Sequence, residues 1–314
     1  RSVYYTVNRH INLTNICSSN CPLCAFQVEA GDARGFVMEP GDIERVLEQA
    51  KKTPNLSEIH IVSALHPDKP FSYYRAVVRQ VKAALPEVDV KAFTPVEIVN
   101  FAKMTGKSIR EVLSLLKEDG LDSLPGGGAE ILSDRVRAII CPKKATADEW
   151  IETMKAAHSL GIRTNASIMY GHIETIEERL QHLITIREIQ DETGGFQTFI
   201  CFPFLPKHTE LGKEVKQTSM WDDLRTMAIS RLMLDNFKNI KAYWVMLTVP
   251  VAQVALSFGA NDIDGTVHKE TILHDAGAKS PTALSEDNII RIIKEAGRTP
   301  AACDCNFNIL RIIE

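Results

Sequence analysis

Short apolar runs rich in β-branched residues alternate along this chain with longer segments whose apolar residues recur at helical spacing. Runs of the first kind are typical of buried strands, and segments of the second kind are typical of amphipathic helices. The pattern predicts eight strands, at residues 3–11, 58–64, 88–94, 121–126, 163–171, 196–202, 241–247 and 259–265. It predicts helices between them, several of which end at glycine, at residues 42–52, 72–85, 109–120, 146–161, 175–195 and 221–237.

Strands that alternate with helices predict a parallel sheet, and eight of them joined by right-handed crossovers predict a closed (β/α)8 barrel of the TIM type. A chain of 314 residues suits one such domain, with residues 285–314 forming a C-terminal helix and tail that pack on it. The loops after the strands form the active face of such barrels. Polar residues at the predicted strand ends are therefore expected to meet at one mouth.

Composition narrows the possible partners. The formal charge of -4 provides no excess positive potential for phosphates, so nucleic acid is not expected as a partner. The most apolar run, residues 242–258, is interrupted by Pro250 and Gln253, whereas a membrane span needs ~20 predominantly apolar residues. It is read as a buried strand followed by a buried helix, and no membrane partner is expected. The chain opens without a signal-peptide pattern, which predicts a reducing, cytoplasmic location.

Three of the seven cysteines, Cys17, Cys21 and Cys24, fall within eight residues just after the first predicted strand. Structural zinc normally takes four protein ligands, whereas iron–sulfur clusters are held by closely spaced thiolates. Three thiolates on a four-iron cluster leave one iron free to bind a ligand that is not protein. Two alternatives stay open at this point: three unrelated buried cysteines, and a zinc site completed by a distant histidine.

Several other polar residues fall at predicted strand ends. His66, Tyr170 and His172 are candidates for contacts with a substrate carboxylate and for proton handling, with structural hydrogen bonding as the alternative. Asp262 and Asp264 either close the mouth or cap a turn.

Glycine and carboxylate positions add further candidates. Residues 126–128 are three glycines at the end of the fourth strand, where they form either a close approach to a ligand or a plain turn. Glu97 either accepts hydrogen bonds from ribose hydroxyls or caps a helix start. His10 is expected to orient the cysteine loop, and Arg163 opens the fifth strand on the face associated with stability.

The segments "VNRHINLTNIC", "KAFTPVEI", "LPGGGAEIL", "GIRTNASIMYGHIET" and "GANDIDGT" together resemble the aminofutalosine synthases, a family of the radical S-adenosylmethionine (SAM) superfamily, over nearly the whole chain. The resemblance implies a radical SAM barrel in which Cys17, Cys21 and Cys24 hold a [4Fe-4S] cluster and SAM chelates its open iron. An electron from a reductant such as flavodoxin or ferredoxin would then cleave SAM to methionine and a 5′-deoxyadenosyl radical.

The reaction implied by the resemblance is a transferase step of menaquinone biosynthesis. The radical adds to the enol ether of 3-[(1-carboxyvinyl)oxy]benzoate, and bicarbonate is lost to give 6-amino-6-deoxyfutalosine. The alternatives are a hydrogen-abstracting relative similar to dehypoxanthine futalosine cyclase and a non-catalytic metal-binding barrel.

The resemblance also implies cofactor-binding residues. Family members usually carry two glycines where this chain has Ser63 and Ala64, and an aromatic residue where it has Leu23; Phe26 is expected to supply adenine packing instead. The full set of expected SAM contacts is Phe26, Ser63, Ala64, Glu97, Gly127, Glu130 and Asn165.

Overall fold

The computed structural model describes residues 2–268 and 271–314, and its centre is one curled sheet. All strand pairs are parallel except the last, in which the strand at the sheet edge runs antiparallel to its neighbour. The strands of the described chain are β1 (Ser2–Thr6), β2 (Asn8–Asn12), β3 (Glu58–Val62), β4 (Asp89–Ala92), β5 (Ser123–Leu124), β6 (Arg163–Tyr170), β7 (Phe196–Pro203), β8 (Asn239–Lys241), β9 (Asp262–Gly265), β10 (Thr299–Cys303) and β11 (Ile309–Ile312).

The first segment of the chain joins the two sides of this sheet. Only Val7 separates β1, which pairs with β9, from β2, which pairs with β3. The Asn8 backbone N–H donates to Thr266 Oγ1 at 3.0 Å, and Asn8 Oδ1 accepts from the Val267 N–H at 2.7 Å. The prediction of an α/β barrel is confirmed, with β1 and β2 in place of the single first strand because the two halves pair with different neighbours.

Helices cover the outside of the sheet. Four of them (α3, α4, α6 and α7 below) begin with a reciprocal cap, in which a Thr or Ser accepts from a backbone N–H and a Glu three residues later bonds back. The helices of the described chain are α1 (Pro40–Ala50), α2 (Phe71–Ala84), α3 (Pro95–Thr105), α4 (Ile109–Glu118), α5 (Asp134–Ile140), α6 (Ala147–Ser159), α7 (Ile176–Thr193), α8 (Met220–Met233), α9 (Trp244–Leu247), α10 (Val249–Ala255), α11 (Ile272–Asp275) and α12 (Glu286–Glu295), with a 3-10 turn at Leu211–Lys213.

The prediction for residues 241–247 is wrong. Strand β8 ends at Lys241, and Trp244–Leu247 forms the short helix α9. Thr248, with φ of 74°, separates α9 from α10, so the run 242–258 contains two short helices instead of a strand and a helix. A short buried apolar run has the same composition in either conformation, because burial and not periodicity selects its residues.

The sequence pattern also missed α3 and α5. At the C-terminus, α12 leads into β10, which pairs with β1 and extends the sheet, and β11 then forms the edge. Within residues 2–268 and 271–314, none of the helices combines the length and the apolar character needed to cross a membrane.

Candidate active site

A cavity of about 300 Å³ opens at the carboxyl ends of the parallel strands. Residues just beyond β3, β4, β5 and β8 line it, together with the loop that follows β2. This is the face of an α/β barrel where ligands bind. The cavity brings together all ten residues predicted for the cluster and for SAM, namely Cys17, Cys21, Cys24, Phe26, Ser63, Ala64, Glu97, Gly127, Glu130 and Asn165.

Hydrogen bonds hold the cysteine loop in a fixed course. The Cys24 N–H donates to the Cys21 carbonyl at 3.0 Å, and the Cys17 N–H donates to the Val28 carbonyl at 3.0 Å. The Gln27 side chain accepts from the Cys21 N–H and donates to the Cys21 carbonyl, both at 3.2 Å. The backbone is therefore shaped by contacts other than those of the three thiols.

The thiols themselves are enclosed. Burial raises the pKa of Cys21 to about 12 and raises the pKa of Cys24, while the nearby Lys144 ammonium opposes both shifts. Within the described part of the chain, three or more His, Cys, Asp or Glu side chains are nowhere close enough together to hold a single metal ion. Cysteines of a four-iron cluster each bind a different iron, so a cluster does not need its ligands to converge on one metal ion.

The other four cysteines, Cys141, Cys201, Cys303 and Cys305, are buried outside the cavity lining.

Glu97 lies at the first turn of α3 and fixes the end of β3. Its Oε1 accepts from the Ser63 N–H at 3.0 Å, and its Oε2 accepts from the Thr94 N–H at 2.7 Å and from Thr94 Oγ1 at 2.8 Å. The interpretation of Glu97 as a helix cap is confirmed, and the residue also lines the cavity, whereas its contact with ribose hydroxyls stays a prediction. Burial raises the pKa of Glu97 to about 8.

The glycine segment after β5 lies against neighbouring backbone and side chains. A Cβ at Gly126 would stand 2.6 Å from the Asn165 carbonyl oxygen, and one at Gly128, where φ is 85°, would stand 2.4 Å from Val96 Cγ2. Beyond the glycines, Glu130 adopts φ of 47° and its carboxylate pairs with Lys144 Nζ at 2.5 Å. The absence of side chains lets this loop form the cavity wall with its backbone.

Buried polar atoms without a partner mark the same cavity. Among the described residues, Ser19 Oγ, Ser63 Oγ, Asn165 Oδ1 and His10 Nε2 lie buried without a hydrogen bond, and all four residues line the cavity. Buried polar groups are normally paired, so these atoms point to a polar ligand. The residues fit the proposed groups: three thiols for a cluster, and polar atoms, glycine backbone and the Phe26 ring for SAM.

The three residues predicted for catalysis do not line the cavity. His66 Nδ1 accepts from the backbone N–H groups of Asp68 and Lys69 at 3.1 and 3.3 Å. The fully buried Tyr170 donates its hydroxyl to Asp223 Oδ1 at 2.9 Å, and His172 bonds within its own turn, to Met169 O at 3.1 Å. Their strand-end positions were predicted correctly, but the side chains are directed into the surrounding structure.

Sequence reasoning missed a group of charged residues on the strands themselves. Lys91 Nζ pairs with Glu58 Oε2 at 2.5 Å, and Lys241 pairs with Asp264 and lies 3.5 Å from Asp262 Oδ2. Asp262 and Asp264 are both buried in the barrel interior and do not close the mouth. The alternative that they cap a turn is confirmed for Asp262, whose Oδ1 accepts from the Asp264 N–H at 2.8 Å. Lysines and carboxylates within predicted buried strands were the available signal, since such charges are almost never buried unless paired.

Arg163 and His10 lie as expected, at the start of β6 and near the cysteine loop. Arg163 is exposed there, away from the mouth, and its guanidinium donates to the Gly194 carbonyl at 2.8 Å. His10 lines the same cavity as the residues of the cysteine loop.

Comparison with known families agrees with this geometry. The family described as the Radical SAM superfamily matches residues 11–186, and the family described as "CofH/MqnC C-terminal region" matches residues 193–314. The chain therefore belongs to the radical SAM superfamily. Membership of this superfamily implies a [4Fe-4S] cluster and SAM as cofactors. The first match ends within α7, and the second begins at its last residue, Thr193.

Two kinds of curated relative stand out. Aminodeoxyfutalosine synthase of Thermus thermophilus is 44% identical over 98% of this chain and 84% of its own length, and that of Streptomyces coelicolor is 39% identical over 99% and 83%. The 5-amino-6-(D-ribitylamino)uracil–L-tyrosine 4-hydroxyphenyl transferase of Archaeoglobus fulgidus is 41% identical over 98% and 89%.

Solved structures support the fold. The hydrogenase maturase HydG of Carboxydothermus hydrogenoformans superposes with a TM-score of 0.72, at 14% identity over 98% of this chain and 69% of its own. Methylornithine synthase (PylB) superposes with a TM-score of 0.69, at 15% identity over 96% of this chain and 84% of its own.

Proposed function

We propose that this chain is an aminodeoxyfutalosine synthase that joins the 5′-deoxyadenosyl group of SAM to 3-[(1-carboxyvinyl)oxy]benzoate. The observation that carries the proposal is the 44% identity to the Thermus thermophilus synthase, in a chain whose three clustered cysteines line one cavity with the expected SAM residues. The product would be 6-amino-6-deoxyfutalosine, formed with loss of bicarbonate.

The cluster and SAM, when bound, would supply the radical that adds to the enol ether. Cys17, Cys21 and Cys24 would hold the cluster. Ser63 and Asn165 offer unpaired polar atoms to SAM, while Glu97 keeps the Ser63 backbone in place.

Several residues would shape the rest of the SAM site. Phe26 offers its ring to the adenine, and its edge packs against Phe36 with 6.1 Å between ring centroids. Ala64 and Gly127 allow close approach of the backbone. Glu130, anchored by Lys144, would accept hydrogen bonds from SAM.

For His66, Tyr170 and His172 we propose positioning roles. His66 and His172 bond to backbone groups of their own turns, and Tyr170 joins the end of β6 to Asp223 on α8, so the three side chains are held away from the cavity. These hydrogen bonds favour one loop geometry, which is what a reaction that depends on the alignment of two reactants needs.

The test is an anaerobic incubation of reconstituted protein with SAM, dithionite and the enol ether, followed by mass spectrometry. A product that retains the adenosyl group supports the proposal. Free 5′-deoxyadenosine as the only nucleoside product would contradict it and favour a hydrogen-abstracting relative.

A second candidate is the 4-hydroxyphenyl transferase activity named for the Archaeoglobus fulgidus relative, favoured by its 41% identity over nearly the same length. A parallel incubation with L-tyrosine and 5-amino-6-(D-ribitylamino)uracil separates the two. Turnover of this pair and not of the enol ether would replace the first proposal with the second.

A further inference from the structure

The inner part of the cavity is lined by four nitrogen-bearing side chains, His10, His60, Lys91 and Lys241, which we call the inner subsite. His10 lies in register with His60, and His60 with Lys91, on the adjacent strands β2, β3 and β4. Residues directly opposite each other on neighbouring strands point to the same face, so these three side chains form one row inside the barrel. The His10 and His60 rings stack with 4.5 Å between centroids.

Lys241 reaches the same region from β8. Its side chain lines the same cavity as that of Lys91. Glu58 pairs with Lys91, and Asp264 pairs with Lys241, which also lies 3.5 Å from Asp262 Oδ2. These carboxylates offset the two positive charges when no ligand is bound, which makes the burial of both lysines tolerable.

The inner subsite has hydrogen-bond donors to spare. Each ammonium carries three N–H groups. Among the described residues, Lys91 donates to Glu58, and Lys241 donates to Asp264 and forms a longer ion pair with Asp262 at 3.5 Å. His10 is 8% exposed, and its Nε2 has no partner within the described chain. Burial lowers the pKa of His10 to about 3, so its ring is neutral at neutral pH and adds no third positive charge.

We propose that the inner subsite binds a carboxylate group of the substrate. The inference rests on the proposed function, whose enol ether carries two carboxylates. Unused N–H groups of two buried cations make charge-assisted hydrogen bonds to a carboxylate, the strongest kind available to such a site. The expected SAM residues lie mostly at or beyond the carboxyl ends of the strands. The row of His10, His60 and Lys91 lies before those ends, so we assign it to the substrate.

The test uses anaerobically reconstituted protein with SAM and two probes, 3-hydroxybenzoate and 3-hydroxybenzamide, whose affinities are compared by calorimetry. Wild-type protein is expected to prefer the carboxylate at least tenfold. His10→Phe keeps a ring to stack on His60 but removes the ring nitrogens. It is expected to weaken binding of the carboxylate roughly tenfold to a hundredfold, and binding of the amide far less, because hydrogen bonds to charged groups are the stronger ones.

A second variant tests the same subsite in case His10→Phe does not fold. Glu58→Gln combined with Lys91→Met removes both members of a buried ion pair, which leaves no charge unpaired, and it is expected to lower the preference in the same way. His158→Phe is the matched control, because His158 bonds to Thr193 and Thr164 and does not line the cavity. The control is expected to keep the wild-type preference.

Equal binding of the two probes by wild-type protein overturns the subsite, and so does an unchanged preference in both subsite variants. If the protein prefers the carboxylate but does not convert the enol ether, the result supports the subsite and contradicts the proposed function. Conversion of the enol ether without any carboxylate preference supports the function and removes the subsite alone.

Discussion

Cys21 is the least solvent-exposed residue of the three clustered cysteines, and its removal is the sharpest test of a single residue. In Cys21→Ala we expect loss of the visible absorbance of the cluster and loss of SAM cleavage, because two protein ligands do not retain a four-iron cluster. Iron content, the visible spectrum and 5′-deoxyadenosine formation are measured after anaerobic reconstitution.

Cys201→Ala is the matched control for that variant. Cys201 is also fully buried, but it lies on β7, outside the cavity lining, with its sulfur 3.5 Å from Ser230 Oγ. The control is expected to keep its iron and its cleavage activity. Cluster absorbance and SAM cleavage that survive in Cys21→Ala would contradict the assignment of this cysteine.

At the residue scale, the sequence identified residues that line one cavity, but it did not give the direction of the other side chains. The cysteine spacing is local, so Cys17, Cys21 and Cys24 were found directly. The direction of Tyr170 depends on Asp223, which lies on α8, 53 residues away, and such a partner leaves no sign next to the tyrosine. The four unpaired atoms of the cavity likewise appear only after folding.

At the scale of single elements, Glu97 in the cap of α3 makes the free energy of unfolding depend on pH. Glu97 has a folded pKa of about 8 against its ordinary value of 4.5, because burial disfavours the charged form. Between those values the unfolded chain releases this proton and the folded chain keeps it. The free energy of unfolding therefore has a contribution from Glu97 that is complete below about pH 4.5 and falls as the pH rises to about 8.

In Glu97→Gln we expect that fall to disappear, since glutamine imitates the neutral carboxyl group. The loss of wild-type stability attributable to Glu97 between pH 5 and pH 8 is on the order of a few kcal/mol. Urea denaturation at several pH values measures it in cluster-free protein. A pH dependence of the same steepness in both proteins would contradict the role given to Glu97.

Element boundaries show where a pattern is ambiguous. The Ser–Glu cap of α4 and the Thr–Glu caps of α6 and α7 are legible in the sequence, and those helices were predicted to within a few residues. Residues 244–247 were predicted as a strand because all four are apolar, but four buried residues contain too little periodicity to separate a helical turn from a strand.

At the scale of the whole molecule, Asn8 connects the start of β2 to the segment that follows β9. It is 2% exposed, and its side chain accepts from the buried Val267 N–H. Asn8→Ala leaves that N–H without an acceptor, and we expect a loss of about 1 to 3 kcal/mol in the free energy of unfolding. Chemical denaturation measures the change.

The control for Asn8 is Asn288→Ala on α12. Asn288 is exposed, so its replacement is expected to change stability by less than about 0.5 kcal/mol. A loss in Asn8→Ala no larger than that of the control would show that this contact is not needed to hold the two strands together.

The barrel as a whole was predictable because alternating strands and helices leave few topologies. The split of the first strand was not, because it depends on β10, a strand near the end of the chain that pairs with β1. The buried ion pairs inside the barrel were missed for a related reason, because they join residues of β3, β4, β8 and β9 that are far apart in the sequence.

The central claim is that three cysteines hold a four-iron cluster and leave one iron for SAM. Electron paramagnetic resonance of reduced, anaerobically reconstituted protein, recorded before and after addition of SAM, tests it most directly. The account predicts a reduced [4Fe-4S] signal whose shape changes when SAM is added. A protein that binds zinc without iron, or a cluster signal that SAM leaves unaltered, would contradict it.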